Sequence, residues 1–397
     1  MPPKKRRRPR GEGAFYKRSS DGLWIGAITY EDENGDVRRA TVSSADKATA
    51  MQRFRALRLE IDNGTYAPRS KMTVEQWLTY WVDEIIKPNV RPNTYRSYRG
   101  VIQNQIVPTM GSKQLPLRPA DIRSNLKMVG ENWSPRTAEL THFVWTKSMD
   151  DAVKEGVLRS NPAEHVAKPK VVKSGGVALT SAQARKVLLS AMSAGDPMVT
   201  RWAAAFLLGA RQGELLGLER DRIDLDTLTV ELSWQLQSVK TKPGASMDDP
   251  KRFDVPPGFE IRPLYRRFAL TRPKTERSKR VTPLPEPLAA ILRVYLESTP
   301  PNRFGLVWAT PTGTPIPNKT DSDMWHAALA RAGVPDVPLH AARHTTATLL
   351  QEMGVEEHVR MQIMGHSSVA AQRGYAHVDL ALARKALGNL DGLLEVH

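Results

Sequence analysis

Residues 339–350, LHAARHTTATLL, decide how the rest of the chain is read. On a helix, His340, Arg343 and His344 fall at i, i+3 and i+4, so all three project from one face. MGHSS (364–368) and RGYAHV (373–378) follow closely and add His366 and Tyr375, with Gly354, Gly365 and Gly374 as bounds. Guanidinium forks match phosphate oxygens. Imidazoles exchange protons near neutral pH, and a phenol can serve as an oxygen nucleophile. The same letters also fit a core helix with buried, hydrogen-bonded histidines, so the remainder of the chain must decide.

Composition narrows the choice. A length of 397 residues suggests two or three domains, and a 40% apolar fraction is enough for real cores. The net charge of +16 points to a polyanionic partner, with nucleic acid first. No apolar run is long enough to span a bilayer, and no apolar segment of the secretory type follows the basic start. A soluble intracellular protein is expected, with no membrane partner. The absence of cysteine excludes disulfides, thiolate chemistry and cysteine-ligated zinc. Covalent catalysis would then use an oxygen or nitrogen nucleophile, and no metal site or cofactor is expected.

Residues 1–12 open with MPPKKRRRPR, a basic arm expected to be disordered when free and able to follow DNA phosphates. Residues 13–66 form the next unit. Segments 14–18, 24–31 and 37–42 read as short strands, with Asn34-Gly35 as a hairpin signal. Ser44 is the expected cap of a helix over 45–62, which Asn63-Gly64 ends. A β-ribbon bearing Arg18, Arg38 and Arg39 can enter a DNA groove. Residues 72–170 read as helical, from the apolar spacing in TVEQWLTYWVDEII (73–86), Pro92 at a helix start, and SPRTAELTHFVWTKSMDDAVKEG (134–156). Arg96, Arg99 and Arg136 on its turns suit phosphate contact, although an ordinary scaffold bundle has the same pattern. KPKVVKSGG (168–176) reads as a linker. Beyond it, Thr180 caps a helix, an apolar helix stops at Gly209 and restarts near Gly213, and 229–236 and 267–271 read as strands. Residues 240–262, rich in Pro, Gly and Asp, are expected to form an exposed excursion, and 380–394 one more helix.

Arg211 lies at the break between two helical segments, in GARQGELLGLERDRID (209–224). With RPKTERSKRVTPLP (272–285), LHAARHTTATLL and MGHSSVAAQRGYAHV in this order, the chain resembles the tyrosine recombinases, or phage integrases. Each piece alone is a weak signal, and four in order across about half the chain is a strong one. The upstream layout is similar to that of integrases with a small arm-type DNA-binding domain, a helical core-binding domain and a catalytic domain. The resemblance therefore implies a multidomain α+β fold. A three-stranded sheet with one helix spans 13–66, an all-α core-type DNA-binding domain spans 72–170, and a mainly α catalytic domain with a small sheet spans 177–397.

By resemblance, Arg211 and Arg343 match the two catalytic arginines, Lys274 on a β-hairpin the mobile lysine, and His340 and His366 the two histidines. Tyr375 matches the nucleophile. Glu214 and His344 are expected to support the site from behind, and Lys279 is the alternative to Lys274. Gln372 and Gly374 depart from the usual pattern beside the tyrosine, without removing a catalytic group. Attack on a phosphodiester places negative charge on the equatorial oxygens, which the two arginines and His366 would stabilise. The phenol, with an unperturbed pKa of about 10, needs a base, for which His340 is the candidate. Lys274 would protonate the leaving 5′-oxygen. The 3′-phosphotyrosine link conserves bond energy, so no ATP is needed. The implied partners are double-stranded DNA with core and arm-type sites, three further protomers in a tetramer, and possible accessory proteins, a directionality factor and a host DNA-bending protein, in the cytoplasm of a bacterial host. The contrasting reading is a DNA-binding regulator or architectural protein with an inactive site.

Overall fold

The computed structural model describes residues 13–31, 35–63, 72–171, 178–273, 279–365, 380–388, 390 and 393. The chain divides into two units, Met1–Val172 and Lys173–His397.

In the first unit, β1 (Ala14–Lys17), β2 (Trp24–Glu31) and β3 (Val37–Ser44) form an antiparallel sheet in sequence order. Helix α1 (Lys47–Asp62) follows, and Phe54 and Leu57 pack on Ile28 and Ala40. Its cap is Asp46, whose carboxylate accepts from the Thr49 amide at 2.7 Å. Ser44, the expected cap, is instead the last residue of β3. The strand continues two residues past its last Val, because Ser43 and Ser44 still pair with Ile25 and Trp24. Arg38 and Arg39 pair opposite Tyr30 and Thr29, so strand alternation sends them to opposite faces.

The helical part starts at α2 (Val74–Tyr80), closed at its N-terminus by the reciprocal Thr73–Gln76 capping box. The helix loosens into wider turns over Trp81–Ile86, and α3 (Pro92–Val101), α4 (Val107–Met110), α5 (Pro119–Asn132) and α6 (Pro135–Lys154) complete the bundle. Trp77, Trp81 and Trp145 fill its core. Each indole donates to a partner inside: Trp77 to the Ser148 carbonyl, Trp81 to Asp151 and Trp145 to Asn125. These bonds satisfy polar edges that burial would otherwise leave costly.

The second unit begins with α7 (Ser181–Ser193), capped by Thr180, then α8 (Val199–Leu207) and α9 (Gln212–Leu216). Helix α8 is buried on nearly every side, as expected for a helix apolar all round. Trp202 and Phe206 on it tilt against Trp325, with ring centres 5.4 and 5.6 Å away.

Among the described residues, six short strands follow: β4 (Ile223–Asp224), β5 (Thr229–Leu232), β6 (Gln235–Ser238), β7 (Ile261–Tyr265), β8 (Phe268–Thr271) and β9 (Arg280–Pro283). They make two antiparallel sheets, β4-β5-β9 and β6-β8-β7. The expected strand 229–236 is therefore broken at Ser233-Trp234, and its two halves pair with different partners. Trp234 explains the break, since Arg272 and Arg262 stack on its ring at 3.9 and 5.1 Å. The excursion expected over 240–262 carries its own small core, where Phe253 meets Val239 and Ala269. Its end becomes β7.

Among the described residues, five helices close the unit: α10 (Glu286–Ser298), α11 (Asn318–Ala332), α12 (His340–Glu352), α13 (Glu357–Met364) and α14 (Leu380–Gly388). Among the described residues, no helix is long and apolar enough to cross a membrane.

Candidate active site

Three backbone breaks bring the motif residues together. Gly209 ends α8 with φ of 54°, and a Cβ there would stand 2.7 Å from the Met364 sulfur, so the position admits only glycine without a shift. The chain restarts at Arg211, whose amide donates to Glu214 three residues on at 3.0 Å. Helix α12 is seated by its threonines. The Thr346 hydroxyl donates to the Phe206 carbonyl of α8 at 2.7 Å, and Thr345 accepts from the Leu179 amide at 2.9 Å. Helix α13 ends at Gly365, left-handed with φ of 59°.

Around that end, three guanidiniums take three consecutive carbonyls. Arg280 Nε donates to Ile363 O at 3.0 Å, Arg343 Nη2 donates to Met364 O, and Arg211 Nη2 donates to Gly365 O at 3.0 Å. The helix C-terminus carries partial negative charge, which favours cations there. Arg343 also reaches Gly209 O at 2.6 Å, tying the α8 end to the α13 end. Glu214, 1% exposed, accepts from Arg211 Nη1 at 2.6 Å and from Arg280 Nη2 at 3.1 Å. Burial alone would raise the Glu214 carboxyl, but Arg280 and Arg211 outweigh it and leave its pKa lowered. Three guanidiniums against one carboxylate leave this cluster with an excess of positive charge.

Arg343 is 4% exposed, and burial, then Arg211 and Arg280, pull its pKa down to about 9. It stays protonated at neutral pH but under strain from its neighbours, a strain an arriving anion would relieve. His340 and His344 stand one turn apart with ring centres 4.8 Å from each other, edge to face. Desolvation, then the charges of His344, Arg343 and Arg211, lower the pKa of His340. Its imidazole is therefore neutral at pH 7 and able to accept a proton.

Thus Arg211, Glu214, His340, Arg343 and His344 converge on one corner of the second unit. Lys274, His366 and Tyr375 lie outside the described residues; Lys279 is described and half-buried. Among the described residues, the strands flanking the lysine loop, β8 and β9, belong to separate sheets. Arg280 was not among the expected residues. Its signal is strand parity: Arg280 and Thr282 turn inward while Val281 faces out, the reverse of what hydrophobicity suggests.

The arginines expected on DNA-facing surfaces have varied surroundings. Arg18 pairs with Asp21, Arg38 with Asp36 and Arg136 with Glu139, all at exposed positions, and Arg39 is exposed on β3. Arg96 donates to Asn93 at 3.2 Å. Arg99 is held more firmly, by Asp83 at 2.9 Å and by the Tyr95 hydroxyl.

Residues 260–381 match the phage integrase family, and residues 73–124 match the N-terminal SAM-like domain of phage integrases. An integrase of Saccharopolyspora erythraea is 28% identical over 422 aligned residues, spanning 95% of each chain. A XerC-like tyrosine recombinase of Caldanaerobacter subterraneus subsp. tengcongensis is 26% identical, over 92% of this chain and 94% of its own. Among solved structures, the Tn1549 transposon integrase in complex with transposon right end DNA superposes with a TM-score of 0.60 at 19% identity, covering 80% of this chain and 99% of that one. A lambda integrase tetramer bound to a Holliday junction gives 0.55 at 15% identity, over 94% and 100%. Residues 73–124 and 260–381 are thus phage integrase family domains, and the activity is site-specific DNA recombination of the tyrosine type.

Proposed function

We propose that Arg211 and Arg343 clamp the scissile phosphate of a DNA strand while Tyr375 attacks it, leaving a 3′-phosphotyrosine and a free 5′-hydroxyl. The observation that carries this reading is the cation-rich cluster around Gly365, where two arginines hold the carbonyls that lead into the segment containing His366 and Tyr375, and where burial and their charges keep the His340 imidazole neutral. His340 accepts the phenolic proton. His366 joins the arginines on the equatorial oxygens, and Lys274 protonates the leaving oxygen. An arginine stabilising a transferring phosphoryl group is worth about 10³–10⁵ in rate. Rejoining is the reverse step, with another strand's 5′-hydroxyl as nucleophile, so phosphoester bonds are exchanged without net hydrolysis.

Residues 13–66 serve as the arm-type DNA-binding domain, 72–170 as the core-type domain and 177–397 as the catalytic domain. The protein works as a homotetramer on paired double-stranded sites in the bacterial cytoplasm, integrating or excising a mobile element, with a directionality factor and a DNA-bending protein as accessory partners. The tetramer reading is supported by the likeness to the lambda integrase tetramer.

The test uses a nicked suicide duplex whose core sequence has been selected, as cleaved by the wild-type protein, from a randomised pool. Arg211→Ala and Arg343→Ala should each bind this duplex nearly as wild type does and lose about three decades or more of cleavage rate. Loss of binding equal to loss of cleavage would assign both residues a merely structural role.

A further inference from the structure

We propose that Arg280 is a positioning residue for strand cleavage, a fixed brace that holds Glu214 and the end of α13 so that Arg211 and Arg343 face one phosphate. The inference rests on the reading of Arg211 and Arg343 as the phosphate clamp.

Arg280 arrives from β9, opposite Leu232, and so from a different element than the helices that carry the clamp. At 8% exposure it has little surface to offer DNA. Toward the described residues its planar fork spends donors inward, in two directions. Nε meets Ile363 O at 3.0 Å and Nη2 meets Glu214 Oε2 at 3.1 Å. The same carboxylate holds Arg211 through Nη1 and through its backbone amide. Glu214 is thus shared between a fixed arginine and a clamp arginine, whose side chain keeps 36% of its surface open.

Gly365 completes the brace. A Cβ at this position would stand 2.7 Å from Arg280 Nη1, so the guanidinium lies directly against the residue that precedes His366. Without Arg280, the Ile363 carbonyl loses its guanidinium and Glu214 keeps one fewer cation. Arg211 then bears more of the Glu214 charge and is drawn toward it, away from a phosphate. Lysine cannot reproduce the brace, because a single ammonium on a flexible stem does not present two donors at a fixed angle.

Single-turnover cleavage of the selected suicide duplex, with full-length protein in excess, separates rate from affinity. Arg280→Met should slow cleavage about 100-fold, the scale of a small misplacement of reacting groups, while Kd stays within about threefold. Arg280→Lys should fall between, because it keeps the charge beside Glu214 and loses the second contact. In a Glu214→Gln background, Arg280→Met should cost clearly less than it does alone, because part of its action passes through Glu214.

Cleavage by Arg280→Met within about threefold of wild type, or the two changes multiplying independently, overturns the proposal. So does a Kd that rises as far as the rate falls, which would make Arg280 a DNA contact. Should Arg280→Met not fold, the rate and Kd of Arg280→Lys decide by the same criteria. Arg211→Ala, run alongside, keeps the two readings apart. If it cleaves normally the clamp itself has failed, whereas normal cleavage by the Arg280 variants alone removes only the brace.

Discussion

Replacing Asp321 with alanine strands a cation in the core of the second unit. Arg201 Nη2 donates to Asp321 Oδ2 at 2.9 Å, and both side chains are 0% exposed. Among the described residues, Arg201 Nε and Nη1 and Asp321 Oδ1 have no hydrogen-bond partner. The guanidinium carbon lies 5.7 and 5.9 Å from the Trp202 and Trp308 rings. Burial lowers the Arg201 pKa, and Asp321 works against that shift. Removing one member of such a pair costs about 3–5 kcal/mol, because the other charge stays buried alone. Gln212 also loses an acceptor at 2.9 Å, worth about 1 kcal/mol more. The sum is a large share of a total stability of about 5–15 kcal/mol. Urea denaturation of the DNA-free protein, followed by tryptophan fluorescence, should show the loss. Arg201→Met combined with Asp321→Leu should recover most of it, since well-packed apolar side chains replace buried pairs at little cost. An Asp321→Ala variant within about 1 kcal/mol of wild type, or a double variant as unstable as the single one, refutes the reasoning.

Three further outcomes are expected. Because burial and nearby cations lower the His340 pKa, cleavage should hold as pH falls to 6.5 and decline only below it, as the imidazole gains its proton. His344→Phe removes the His344 contribution to that lowering and should move this acid limb upward; a limb that stays put or moves down contradicts the assignment of His340 as base. Lys274→Ala should block cleavage of ordinary DNA and be rescued by a substrate whose leaving oxygen is replaced by sulfur, and rescue seen with Lys279→Ala instead would transfer the proton-donor role. Removing residues 1–66 should spare covalent cleavage of a short core site and sharply weaken recombination of a full attachment site bearing arm sequences, because the second tethered contact is lost. Equal recombination by the truncated and intact chains would remove the arm-binding role.

What the sequence discloses here follows contact range. Thr180 and Asn63 act within a few residues of themselves, and the helices they bound are legible from the letters alone. The pairing of Arg211 with Glu214, three residues apart, is equally local. Arg280 meets Glu214 across 66 positions of chain, and it also donates to a backbone carbonyl, which no side-chain pattern records. The break at Ser233-Trp234 escapes for a related reason. The residues 229–236 alternate as one strand should, and only the arginines stacked on Trp234 show why the halves part. Composition misleads over 240–262, where Pro, Gly and Asp suggest an open loop and Phe253, with Val255 and Ile261 packed beside it, supplies enough apolar surface to anchor it on Val239 and Ala269. Arg99 reads as a surface cation until Asp83, 16 residues away, is seen to hold it.

The central claim is that Tyr375 takes the phosphate held by Arg211 and Arg343. It is tested most directly by isolating the covalent protein–DNA adduct formed on the selected suicide duplex and mapping the modified peptide by mass spectrometry. The account expects a 3′-phosphate on Tyr375, with no adduct from Tyr375→Phe although that variant still binds the duplex. An adduct that survives Tyr375→Phe, or one mapped to another residue or to a 5′-phosphate, would contradict it.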